Sequence, residues 1–172
     1  LINGYVSPKR NYIDLGIDAQ GTSMKFLENF CGSFMNQVEA WGDGHLNVVG
    51  DLKNINLVGD ITAHGKVHLK QLNTDYTFDA LRAHAIPDDI LIENDTIFDR
   101  NRNIAILSGG IHHKHLTRLS YDLDIKAHNF LGFDTREFGD NTFYGTIYAT
   151  GEVGIHGKSG DCLLYTSDAA DE

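Results

Sequence analysis

Residues 143–157, FYGTIYATGEVGIHG, alternate without a slip. Odd positions run Phe143, Gly145, Ile147, Ala149, Gly151, Val153 and Ile155, and even positions run Tyr144, Thr146, Tyr148, Thr150, Glu152, Gly154 and His156. A period of two means a strand with one dry and one wet face. The pattern recurs along the chain. Ile13, Leu15, Ile17 and Ala19 oppose Tyr12, Asp14 and Asp18, and Leu46, Val48, Gly50 and Leu52 repeat the dry side. Leu57, Gly59, Ile61, Ala63, Gly65, Val67 and Leu69 oppose Asp60, Thr62, His64, Lys66, His68 and Lys70. Leu119, Tyr121, Leu123, Ile125 and Ala127 oppose Ser120, Asp122, Asp124, Lys126 and His128. Strands with one wet face belong to antiparallel sheets. Turn residues separate them, at Lys53-Asn54, Asn73-Thr74, Pro87-Asp88-Asp89, Asn94-Asp95, 99–103 and Gly139-Asp140-Asn141.

The dry side is thin. Gly50, Gly59, Gly65, Gly145 and Gly151 all fall on it. A strand glycine marks a bend or a close approach by something else. Two readings stand. Either the glycines let the sheet coil tightly while the remaining aliphatics fill its interior, or the sheet forms a half-pipe with an underfilled apolar lining. Alternation alone favours the first, because most apolar faces are ordinary cores.

One segment has helical spacing. Thr22 or Ser23 can cap it, and Phe26, Leu27, Phe30 and Phe34 share a face. The net charge of -10 argues against nucleic acid as a partner. No run approaches the ~18 apolar residues of a spanning helix. The tail CLLYTSDAADE, residues 162–172, has no amphipathic pattern and resembles a translated sequencing-library adapter, so residues 1–161 are expected to form the folded unit. Cys31, beside Phe30, reads as a small buried side chain.

Catalytic and metal signatures are not found. In GGIHHKHL, His112 and His113 point to opposite faces, so at most His113 and His115 share one, and these are expected to be surface histidines. DRNRN, from Asp99, opens like a calcium loop, but Ile104 stands where the sixth-position glycine belongs, so a turn held by Asp and Asn side chains is expected. With no phosphate loop, nucleophile elbow or paired carboxylates, an enzyme is not expected, nor a cofactor or metal. Tyr144 and Tyr148 on the wet face are expected to cover neighbouring loops or to lie under a further segment of the parent protein.

Three stretches resemble a known family: LNVVGDLKNINLVGDITAHGKVHLKQLNTDYTF, then NIAILSGGIHHKHLTRLSYDLDIKAHNF, then NTFYGTIYATGEVGIHG. Their succession is similar to the C-terminal domain of the TamB family (translocation and assembly module subunit, AsmA-like superfamily), in its Bacteroidetes-type form. The resemblance implies a mainly β fold, a curved antiparallel sheet forming a β-taco or half-pipe with an apolar concave face, plus the short helix near the N-terminal end. It implies a periplasmic segment of a parent protein anchored in the inner membrane, with an outer-membrane BamA/TamA-type protein as partner. The implied work is non-enzymatic: phospholipid transport between inner and outer membrane, or assembly and secretion of nascent outer-membrane protein. The groove lining would be Leu46, Val48, Ile61, Ala63, Val67, Leu123, Ile125, Ile147, Ala149 and Val153. An acyl chain in water costs ~0.8 kcal/mol per CH₂, so a dry groove removes a large barrier without chemistry. The competing expectation is a structural or adhesive β-domain with a self-filled core and no cargo.

Overall fold

The computed structural model describes residues 1–25, 27–28, 35–70, 72–115, 117–135, 145–158 and 161–167, of which Thr117 and 161–167 as backbone. It is one antiparallel sheet: β1 (Ile2–Ser7), β2 (Tyr12–Ser23), β3 (Met35–Asp51), β4 (Asn54–Leu69), β5 (Thr74–Ile86), β6 (Asp89–Phe98), β7 (Ile104–Lys114), β8 (Thr117–Thr135), β9 (Gly145–Lys158) and β10 (Asp161–Ser167). The strands lie in the sheet in chain order, a ten-stranded meander that does not close on itself. The mainly β antiparallel fold expected from alternation forms, and the sheet is curved and open, as the resemblance implied. Residues 162–167, set outside the folded unit on sequence grounds, continue the sheet together with Asp161, pairing Asp161 with Lys158 through Ser167 with Glu152.

Most of the expected helix, Phe26 and residues 29–34 with Cys31 among them, lies outside the described residues. Thr22 and Ser23 belong to β2. Leu27 and Glu28 make a single turn, their amides donating to Met24 O at 2.9 Å and Lys25 O at 3.1 Å.

The alternation is not continuous. Register shifts interrupt the ladders at, among other places, Asn36/Glu39, Ile92/Asp95 and Ala127/Phe130.

Each of these three shifts is a bulge with a residue in the left-handed region: Gln37 (φ 49), Asn94 (φ 48) and Asn129 (φ 49). Asparagine tolerates that conformation better than most residues. An inserted residue reverses which parity faces inward. In β8 the inward side is odd through Ala127 and passes to Phe130 after the bulge. In β5 it passes from Phe78 to Leu81 across the shift opposite Ala63/Gly65.

Glycine has a backbone reason at Gly44 and Gly59. Their φ values are 153 and 142, and a Cβ on either would stand 2.1 Å from a carbonyl oxygen of the facing strand, Asp60 O for Gly44 and His45 O for Gly59. The thin lining at Gly59 is thus set by strand-to-strand approach. Gly59→Ala is expected to destabilise the fold by about 3 kcal/mol, since strain of this kind costs ~1–3 kcal/mol before the clash is counted. Gly21→Ala, with φ 54 and nothing within 4 Å, should cost about 1 kcal/mol. Urea denaturation of both variants checks the difference.

Candidate functional site: a trough closed at one end

The inward face divides along the strands. Near the start of β3 and β5 and the end of β4 and β8 it is filled. Val38, Ala40, Ala63, Tyr76, Phe78, Ile97, Ala105 and Phe130 form one buried cluster, with Met24, Met35, Val67, Leu69, Leu81, Leu107, Ile125 and Ala127 packed on it. The β6–β7 hairpin is shorter than its neighbours, and beyond its tip β5 meets β8. There Tyr76 stacks on Phe130 with ring centroids 5.0 Å apart. The Tyr76 hydroxyl donates to Leu131 O at 2.9 Å. Burial pushes the Tyr76 phenol above its ordinary pKa, the Asp99 charge adds to this, and a hydrogen bond with Thr74 opposes it.

Asp99, at the hairpin tip, ties the seam. Its Oδ1 accepts from the amides of Asn101 at 2.8 Å and Asn103 at 2.9 Å. Its Oδ2 accepts from Asn103 Nδ2 and from the Leu131 amide, both at 2.9 Å. This is the Asp/Asn turn expected from DRNRN, with one bond added that reaches β8. Burial alone would raise the Asp99 pKa, but the hydrogen bonds outweigh it and hold the carboxyl below its usual range. Arg100 pairs with Asp134, and the Asp134 amide donates to Leu72 O at 3.0 Å, joining the β4–β5 turn to the same seam. Asn101 Nδ2 donates to the Tyr148 hydroxyl at 2.7 Å, so Tyr148 does meet a neighbouring turn. Tyr144 lies outside the described residues.

Toward the other end of the strands the face is open. Leu46, Val48, Ile61 and Leu123 are half-buried, as are Ala149 and Val153. Leu46 lies opposite Gly59, and Leu123 opposite both Gly109 and Ile155. Three expected lining residues belong instead to the filled end: Ala63 is buried in the cluster, and Val67 and Ile125 pack on it. The aromatic side chains of Tyr76, Phe78 and Phe130 occupy the space these three were expected to border. Ile147 is 55% exposed, because β10 pairs only with residues 152–158 of β9 and leaves this stretch at the sheet edge. The bulges hid the aromatic cluster from a reading based on unbroken alternation.

The outward face carries a row that the sequence spacing does not reveal. Asp18 lies opposite His45, Asp60 opposite His84, Asp89 opposite His112 and Asp122 opposite His156. The Nδ1–Oδ1 distances are 2.6, 2.6, 2.5 and 2.7 Å. Strands β2 to β9, taken two by two, thus each carry one such pair. A carboxylate only accepts, so Nδ1 is the donor in each. Directly opposed cross-strand pairs contribute ~0.2–1 kcal/mol each and disfavour a slipped register. The surface location expected for the histidines holds here, but not at His113, which is 5% exposed. It continues the inward odd positions of β7, after Ala105, Leu107 and Ile111, and its amide donates to Asp88 O at 2.7 Å. Among the described residues no group of three or more His, Cys, Asp or Glu is placed to hold a metal ion.

Comparison of the chain with protein-family models, with curated proteins and with solved structures gives no match.

Proposed function

We propose that this chain is a segment of a TamB-like envelope conduit, whose open inward face receives the acyl chains of phospholipid or the apolar strands of nascent outer-membrane protein. The carrying observation is an aliphatic lining that is not fully buried, Leu46, Val48, Ile61, Leu123 and Val153, on the inner face of a sheet that does not close. Ten strands at about 4.8 Å give roughly 45 Å of trough across the sheet. Partly exposed aliphatics gain by covering, about 25 cal/mol for each Å² removed from water, and an acyl chain sliding along them needs no single tight site. On this reading the segment works in the periplasm, as part of a parent anchored in the inner membrane, and delivers to an outer-membrane partner of the BamA/TamA type. The stacked Tyr76–Phe130 end favours the second reading, a self-filled β-domain, over that stretch alone.

A photocrosslinker decides between them. Placed at Ile61 or Leu123 and irradiated with phospholipid vesicles, it should yield lipid adducts. At Thr62 or Asp124 on the outer face, or at Ala63 in the filled end, it should yield none. Equal labelling at all five positions, or none at Ile61 and Leu123, overturns the proposal.

A further inference from the structure

We propose that the outward face carries a sugar-binding cleft centred on Trp41. The cleft, open to solvent and of about 560 Å³, is lined by Glu39, Trp41, His64, Gly65, Lys66, Thr77, Phe78, Asp79 and Arg102. It sits on the face opposite the trough, so it stands or falls independently of the conduit.

The geometry supplies the two things a pyranose ring requires. The first is a flat apolar surface for its C–H face. Trp41 is 44% exposed, yet it is held by its cross-strand neighbour His64, the rings 6.1 Å apart and 22° from parallel. A rigid exposed indole loses little freedom when covered. The second is a rim that both gives and takes hydrogen bonds, because each sugar hydroxyl does both. Two ion pairs provide it. Lys66 stands 3.8 Å from Glu39, and Arg102 stands 3.1 Å from Asp79 while its guanidinium lies 3.9 Å over the Phe98 ring. Thr77, also in the lining, has a buried hydroxyl oxygen without a hydrogen-bond partner. Buried hydroxyls are rarely left so.

The same inventory argues against other ligands. Two carboxylates balance two cations, so an anion gains little on a chain of net charge -10. An alkyl chain would bury charged groups without replacing their water. The local backbone is irregular in the same place. The β4–β5 register shifts between Ala63 and Gly65, and β5–β6 pairing lapses between Thr77/Phe98 and Ala83/Ile92. Bulges of this kind re-aim side chains beside functional sites.

Trp41 is the only tryptophan, so intrinsic fluorescence reports the cleft directly. Maltotriose and N,N′,N″-triacetylchitotriose are titrated to about 10 mM, ten times the Kd of a weak millimolar site. A saturable change with at least one of them is expected. By calorimetry, Trp41→Ala should weaken that binding at least tenfold, and Thr77→Val and Asp79→Asn severalfold, with the far-ultraviolet circular dichroism unchanged. If Trp41→Ala does not fold, the other two variants carry the test. No saturable change with either trisaccharide, or unchanged affinity in the folded variants, overturns the proposal.

Discussion

Phe130→Ala should lower the stability of the chain by about 3–5 kcal/mol, the usual cost of emptying a buried aromatic site. Phe130 is 3% exposed and stacks on Tyr76 where β5 and β8 meet beyond the β6–β7 tip. Its removal leaves a space that the neighbours cannot collapse into, because Tyr76 and Leu131 are held by their hydrogen bond and Leu131 is bonded in turn to Asp99. Leu46→Ala, at the open end, removes a side chain that is only half-buried and should cost less than half as much. Urea denaturation followed by Trp41 fluorescence measures both. Equal losses would mean that the two ends of the inner face are equally filled, and would count against an open trough.

Asp99→Ala is the second large effect expected, about 3 kcal/mol. The substitution leaves the amides of Asn101, Asn103 and Leu131 without their acceptor. A single hydrogen bond to a charged group contributes ~1.5–3 kcal/mol, and amides stranded by the loss add a desolvation penalty. The effect should depend on pH in a defined direction. The folded-state pKa of Asp99 is depressed, first opposed by burial and then carried down by the hydrogen bonds from Asn103, Leu131 and Asn101. Its contribution is therefore fully present above the unfolded carboxylate pKa of about 3.9 and is lost as the pH falls through the folded value. The stability difference between the native chain and Asp99→Asn should be constant near neutrality and shrink below about pH 4. A difference that grew on acidification would contradict the role assigned to this carboxylate.

The two variants report on one seam, so their effects should not add. Phe130 and Asp99 act on Leu131 from opposite sides, one through Tyr76 and one directly. A double variant losing less than the sum of the singles is the expected result of shared contacts.

The period-two pattern in residues 143–157 and its copies determined by itself that this chain forms antiparallel strands with a wet face, because side-chain alternation is a property of each extended segment alone. The Asp99 turn was legible for the same reason, since its bonds to Asn101 and Asn103 are local. What the inner face contains was decided by tertiary structure. Bulges at Gln37, Asn94 and Asn129 reverse the facing of the residues that follow them, and curvature brings Tyr76 and Phe130 together from strands that are not neighbours in the sheet. The row of Asp–His pairs depends in the same way on registers between strands up to 34 residues apart in the chain, as at Asp122 and His156. Periodicity tells a residue which side of its own strand it takes. Only the assembled sheet tells it what stands opposite.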